Sequence, residues 1–270
     1  MKCFSLISTE DTGNKDQVFR LLRRMINLKE LTLFLSILQS QSTYIDGIQL
    51  HKKVLIYMPQ LNKLSFSLST AVVNIIAKVD LQSNEDFQRS FIGKGYGQVC
   101  SYVHTKYDGN GGTSHAYSLP YQFQYFLRLN NSFRAAMFDT VQYLTMIDSR
   151  PFKHKFFKLI SICFPLLKEL YVVNHFPQEN KQHSSILIIF PHLILLNLVE
   201  AHVDYAKQLL YDKNTHLPAL LDLFIEYKSL AMITNNFTND EICRNRAKIK
   251  KIHVGSFAQP NNFQKYFPLL

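Results

Sequence analysis

The sequence predicts an α/β fold: a solenoid with a curved parallel sheet, helices on its convex side and one inserted β-hairpin. Three observations carry this. First, a phrase of apolar, two variable, apolar, one variable, apolar recurs seven times, opening at Leu28, Leu61, Val141, Leu167, Leu193, Leu220 and Ile249. Its closing alternation, as in Leu31-x-Leu33 or Leu170-x-Val172, has the period of a strand with one buried face. Second, the steps between openings are 33, 80, 26, 26, 27 and 29 residues. Such a period marks stacked units, not a single central core. Third, Pro stands two residues before the opening in Met58-Pro59-Gln60-Leu61, Phe164-Pro165-Leu166-Leu167, Phe190-Pro191-His192-Leu193 and Leu217-Pro218-Ala219-Leu220. Proline cannot continue a helix and keeps the residue before it extended. Each copy therefore reads as helix end, turn and strand start.

The elements follow in order. Residues 18–26, from Val18 to Ile26, read as an amphipathic helix feeding the strand at Leu28. Residues 45–57 repeat that pattern before Leu61. The 80-residue step to Val141 has room for two degenerate repeats or an insertion. Within it, Val99 to Tyr107 reads extended and Ser114 to Leu119 can return. Between them Asp108-Gly109-Asn110-Gly111-Gly112-Thr113 is rich in residues that tolerate positive φ. Residues 93–120 are therefore expected to form a hairpin inserted into the solenoid or projecting from it. Pro151 to Cys163 reads as a helix with Pro in its first turn. Val203 to Tyr211 gives a shorter helix and Gln259 to Phe267 the last.

Cys3-x-x-Leu6 opens 25 residues before Leu28, and Phe267-Pro268-Leu269-Leu270 starts a further copy. Residues 1–270 are thus expected to form one solenoid whose ends lie inside repeats. Solenoids need polar caps, so the expectation is a fragment of a longer protein, or ends covered by a partner.

Joined to its proline, the phrase becomes Phe/Met/Leu-Pro-x-Leu-x-x-Leu-x-Leu. It resembles the leucine-rich repeats of F-box proteins, with Phe, Met or Leu where those carry Cys. The resemblance covers most of residues 20–270 outside the central gap. The segments Pro151-Phe152-Lys153-His154-Lys155 and Asn235-Asn236-Phe237-Thr238-Asn239-Asp240 are similar to an uncharacterised group of invertebrate F-box-like proteins. This implies a leucine-rich-repeat fold and the role of a recognition scaffold, such as the substrate-receptor region of a ubiquitin ligase. It implies no catalytic residue. Two departures stand out. The Asn expected at the ninth position of a repeat is replaced by Ser36, Ser69, Ser149, His175, Ala201, Lys228 and Phe257, so these turns must be closed another way. No F-box segment precedes Leu21 either. An F-box adaptor is implied as a partner only for a longer form that carries one.

Composition narrows the class. The apolar fraction of 47% excludes a disordered chain. Four cysteines, Cys3, Cys100, Cys163 and Cys243, make no short-spaced redox or zinc motif. The N-terminus is a poor signal peptide, and the most apolar stretch, Ile186 to Val199, is broken by Pro191, His192 and Asn197. A reduced cytoplasmic or nuclear protein with no membrane span is expected. Gly93-Lys94-Gly95-Tyr96-Gly97 lacks the spacing of a phosphate loop and reads as a turn. No metal, cofactor or nucleophile motif is present, so no enzyme activity is expected.

The net charge of +10 is the remaining clue. In a repeat strand the phrase residues point inward, and alternate residues line the concave face. Those are Glu30, Thr32, Phe34; Lys63, Ser65, Ser67; Tyr143, Thr145, Ile147; Glu169, Tyr171, Val173; Leu195, Asn197, Val199; Asp222, Phe224, Glu226; and Lys251, His253, Gly255. Two lysines stand there against four carboxylates, so the excess positive charge must lie on helices and loops, at positions such as Arg20, Arg23, Arg24, Lys52 and Lys53. Nucleic acid on the concave face is disfavoured, because its affinity depends on phosphate neutralisation. A protein or peptide is expected there, presenting a basic or amphipathic segment. It would bind across a stripe of Tyr143, Ile147, Tyr171, Val173, Leu195, Val199 and Phe224, rimmed by Glu169, Asp222 and Glu226 and continuing to Asn197, Lys251 and His253. The alternative is a basic module that engages nucleic acid or an anionic membrane through its helical face.

Overall fold

The computed structural model describes residues 2–13, 15–40, 44–73, 83–93, 95–105, 111–178, 186–255 and 262–270. The chain is a mixed α/β protein built as two compact units, residues 1–123 and 124–270, each with its own sheet and no closed barrel.

The first unit contains β1 (Cys3–Thr12), α1 (Lys15–Arg23), β2 (Glu30–Gln39), α2 (Gly47–Lys53), β3 (Lys63–Val73), α3 (Asn84–Arg89), β4 (Gln98–Thr105) and β5 (Gly111–Leu119). The sheet order is β1-β2-β3-β5-β4. The first three strands are parallel, and β5 runs antiparallel to both β3 and β4. The first two phrases lie in register, with Leu31 opposite Leu64 and Leu33 opposite Phe66. Leu31, Leu33, Leu35, Ile37, Phe66 and Leu68 share one buried cluster with Phe19 of α1, Leu50 of α2 and Phe87 of α3. Burying a side chain of this size stabilises by about 1.5–3 kcal/mol. Two helix starts are capped: Asp46 accepts the Gln49 N–H at 2.7 Å, and the Ser83 hydroxyl accepts the Asp86 N–H at 3.1 Å.

Several expectations shift here. The helix expected at 18–26 begins at Lys15 and ends at Arg23. Beyond it the chain tightens, with the Arg24 and Met25 amides donating to Leu21 and Leu22. β1 is a repeat strand, but Leu6 faces Leu33, not Leu31; Phe4 holds the Leu31 position. The hairpin is present as β4 and β5, and it extends the sheet through β5, paired with β3 from Ser67↔Tyr117 to Val73↔Gly111. Of the turn expected at 108–113, residues 108–110 lie outside the described residues, and Gly111, Gly112 and Thr113 belong to β5 instead. Gly93, Gly95 and Gly97 have φ of 73°, 75° and 74°, a left-handed geometry open to glycine, on the approach to β4.

The second unit contains β6 (Tyr125–Leu129), β7 (Tyr143–Ile147), α4 (His154–Cys163), β8 (Glu169–Val173), β9 (Ile188–Ile189), β10 (Leu195–Asn197) and α5 (Val203–Leu210). It continues with β11 (Thr215–His216), β12 (Asp222–Phe224), α6 (Tyr227–Ile233), α7 (Cys243–Arg246), β13 (Lys251–His253) and α8 (Phe263–Tyr266). Six strands form a parallel sheet in the order β13-β12-β10-β8-β7-β6, and β9 pairs with β11 in a small second sheet. Leu144, Leu170, Leu196, Leu223 and Ile252 stand in line across five strands. The first four are fully buried. Phe126 of β6 packs edge-on against Phe138 and Phe164, with ring centroids 5.0 and 5.5 Å away.

The long step from Leu61 to Val141 thus contains the hairpin and one further repeat strand, β6. That strand escapes the phrase because it carries a bulge: Phe126 faces Leu144, but it is Leu129 that faces Met146. Arg128 takes up the extra residue with φ 57°, its amide donating to the Thr145 hydroxyl at 2.8 Å.

Two helix starts also move. α4 begins at His154, three residues after Pro151, because Phe152 is held elsewhere: its N–H donates to the Tyr205 hydroxyl and its carbonyl accepts from Gln178. The last helix is the short α8, and residues 256–261 of the expected span lie outside the described residues.

The missing ninth-position Asn is compensated one residue earlier. Asp148 accepts the Arg150 and Asn131 amides, each at 2.8 Å, and Asn174 accepts the Phe176 amide at 3.0 Å. Asn174 also donates to the Arg150 carbonyl, stitching one turn to the next. Farther along, the buried Asn245 accepts the Leu217 amide and donates to the carbonyls of Leu210 and Thr215. These bonds satisfy backbone groups that would otherwise be buried without partners.

Candidate interaction face

Strand pairing in the second unit sorts the non-phrase residues into rows. One row runs Tyr125, Tyr143, Glu169, Leu195, Asp222, Lys251. The next runs Thr145, Tyr171, Asn197, Phe224, His253. Ile147 and Val173 pair beyond them. The phrase residues on β6 to β12 are buried and Ile252 of β13 half-buried, whereas Tyr125, Tyr143, Tyr171, Leu195, Asp222 and Phe224 are half-buried and Lys251 and His253 exposed. The sheet therefore keeps one open face, and most of the residues expected there lie on it.

Three expected members leave the sheet. β10 and β12 are only three residues long. Val199 falls in the turn after β10, 40% exposed, with its N–H bound to the Asn197 side chain at 3.1 Å. Glu226 is the residue from which α6 starts. Gly255 lies past the end of β13.

The aromatic stripe is divided in two. Tyr125, Tyr143 and Tyr171 form a nest, with centroids 5.6 Å apart for the first pair and 4.8 Å for the second. The Tyr171 hydroxyl donates to Glu169 at 3.4 Å. Burial raises the Tyr143 phenol, partly opposed by its hydrogen bond with Tyr171. Burial, then the nearby Tyr143 and Glu169, hold the Tyr171 phenol well above its usual range, so both rings stay neutral near pH 7. The second group is Phe224 stacked on His253, centroids 3.8 Å apart and planes 8° from parallel. Asn197 separates the groups. Tyr125 was not legible as a site residue because the β6 bulge hides its repeat. The Phe126 that follows it was the available signal.

Charge on the face is unbalanced. Among the described residues, Glu169, Asp222 and Glu226 take part in no ion pair. Lys251 lies directly across the ladder from Asp222 without closing to 4.0 Å. In the first unit the equivalent cross-strand pair, Glu30 and Lys63, does close, at 3.6 Å.

The corresponding face of the first unit is covered over the middle of β2 and β3, while Lys63 at its end and Ser5 and Ile7 of β1 stay exposed. Phe34, Ser65 and Ser67, expected to line a binding surface, are 2%, 8% and 1% exposed. Phe34 packs on Phe123, and the Ser65 hydroxyl donates to Gln122. Ser67 Oγ lies 2.9 Å from His115 Nε2, and Tyr102 lies 3.3 Å from His115 Nδ1. A serine beside a histidine is a hydrolase-like pairing, but both side chains are buried and a phenol faces the other ring nitrogen. The arrangement reads as a hydrogen-bonded core network closed to substrate.

No group of three metal-ligating side chains occurs among the described residues. No helix among them is long and apolar enough to cross a membrane. Comparison with family models, with curated proteins and with solved structures finds no match to this chain.

Proposed function

We propose that this chain is a protein-recognition scaffold of leucine-rich-repeat type, and that residues 124–270 hold a segment of another protein across their open sheet face. The observation that carries the reading is the half-buried Tyr125–Tyr143–Tyr171 nest on strands whose other face is fully packed. Tyrosine supplies large contact area at low entropic cost and is enriched where proteins dock. The Phe224–His253 stack gives a second anchor. No catalytic step is assigned. By its resemblance to F-box leucine-rich repeats, the scaffold would serve as a substrate-receptor region. The test is selection of binders from a random peptide library displayed against the full chain. The double variant Tyr171→Ala/Phe224→Ala is expected to lose capture of the selected peptides while keeping the wild-type circular dichroism spectrum. Unchanged capture would remove the face from the proposal.

A second reading is favoured by the approach of Lys15 at the start of α1 to Lys53 at the end of α2. Burial first, and the neighbouring Lys53 ammonium second, hold Lys15 below the usual lysine range. Phosphate-bearing polymers or anionic lipid would relieve that repulsion. Binding to single-stranded RNA or anionic vesicles that weakens steeply with salt would support this basic face; absence of binding at low salt would eliminate it.

A further inference from the structure

We infer that the tyrosine nest is a cation site for an arginine or lysine side chain of the bound segment; this rests on the protein-recognition reading above. The argument begins with Glu169. Its strand neighbours in the same row are Tyr143 on one side and Leu195 on the other, and Tyr171 stands two residues along its own strand. The carboxylate is thus set among phenol rings, and among the described residues its side chain meets one hydrogen-bond donor, the Tyr171 hydroxyl at 3.4 Å.

A guanidinium or ammonium over such rings gains from the negative faces of the π-systems and from the carboxylate together. Neither the rings nor the carboxylate meets a cation of this chain among the described residues. Among the described residues no cation lies over Tyr143 or Tyr171, although the chain stacks its own cations elsewhere, as Arg246 does 3.7 Å from the Tyr266 ring centre. Nor does any cation pair with Glu169, Asp222 or Glu226. This is in a protein with 30 Lys and Arg against 20 Asp and Glu. Leaving acidic groups unpaired in such an excess of positive charge is what complementarity to a cationic segment requires.

The row also gives a direction. Lys251 lies three strands from Glu169, about 14 Å at the usual strand spacing. A segment crossing the strands would place its cation over Tyr143 and Glu169, an apolar residue near Leu195 and Phe224, and an acceptor toward Lys251. Phosphate-bearing polymers are disfavoured by the same carboxylates.

The peptide library selected against the immobilised full chain tests this. The selected pool is expected to be enriched about threefold in Arg plus Lys over the starting library at one position. Replacing that residue by citrulline or norleucine is expected to weaken binding about tenfold, as is Glu169→Gln in the protein; Tyr143→Ala is expected to weaken it similarly. The variant Phe224→Ala is expected to weaken cationic and neutral forms alike, leaving their ratio unchanged. Binders that depend on Phe224 but show no cationic enrichment and ignore Glu169→Gln would overturn the cation site and leave the recognition reading standing. Enrichment in Asp and Glu would overturn it too. A library yielding no binder would overturn both.

Discussion

Asn174 donates from its side-chain nitrogen to the carbonyl oxygen of Arg150 at 2.8 Å, tying the turn after β8 to the turn after β7. The same side chain accepts the Phe176 amide, so one buried residue closes its own turn and braces the preceding one. Replacing it with Ala leaves the Phe176 amide to find another acceptor and leaves the Arg150 carbonyl with the Asn131 side-chain nitrogen, 3.1 Å away, as a remaining donor. Asn174→Ala is expected to cost about 2 kcal/mol in urea unfolding. Asn174→Asp, which keeps only the acceptor, is expected to fall between. A midpoint unchanged by Asn174→Ala would show that the turn is held by backbone pairing alone.

Gly47 opens α2 against α3. Its amide donates to the Ser90 hydroxyl at 2.8 Å, and its carbonyl accepts from Tyr96. A Cβ there would meet the Ser90 carbonyl and come within 2.8 Å of the Phe91 ring. Gly47→Ala is therefore expected to destabilise the first unit by about 1–3 kcal/mol, although alanine normally favours helices. Amide exchange should speed up at Leu33 and Phe66 while Leu170 and Leu196 keep their protection. Wild-type stability in the variant would mean that α3 can move aside without cost.

Alkaline pH probes the second unit through Tyr205, whose phenol is pushed up to about 12, chiefly by burial, with its bond from the Phe152 amide acting the other way. An unfolded tyrosine ionises near pH 10. The raised value means that the folded state holds the proton longer. Its contribution to stability is whole below about pH 10 and is lost as pH climbs through about 12. Absorbance at 295 nm should show Tyr205 ionising together with unfolding, and Tyr205→Phe should flatten the fall in stability over that window. Ionisation of Tyr205 near pH 10 in folded protein would contradict this.

Much of the sheet was legible because repeat strands repeat their burial. Leu144, Leu170, Leu196 and Leu223 do the same job in the same position, so the same residue type recurs. What stayed hidden was local. In β6 one left-handed residue, Arg128, displaces the inward position by one, and the phrase disappears although the strand remains. In β1 the opening read at Cys3 put Leu6 in the second apolar position, but pairing gives that position to Phe4 and the next to Leu6. The turn-closing groups moved from the ninth position to Asp148 and Asn174, a shift that defeats a search by position.

The candidate face was legible in outline for the same reason. Alternation placed Tyr143, Tyr171, Phe224 and His253 on one side of the sheet. It also placed Phe34, Ser65 and Ser67 there in the first unit, where burial contradicts it. Alternation reports which way a side chain leaves its strand; it does not report what lies opposite. His115, Tyr121 and Phe123, which meet those residues, are distant in sequence.

The reversal at β5 has an evolutionary consequence. A parallel stack grows when a duplicated strand and its return arrive at an edge in the same sense as their neighbour. At β3 that edge is taken by a strand of opposite sense, and β4 fills the place beyond it. An extra copy in the first unit would be accommodated at the outer edge of β1 or between β1 and β3, where the neighbours run the same way. In the second unit all six strands share one direction and successive phrases are 26 or 27 residues apart from Val141 to Leu220, so whole copies could be gained or lost there. Descendants of this chain would then vary in length on the side that carries the tyrosine nest, with the hairpin as the fixed landmark from which their repeats are counted.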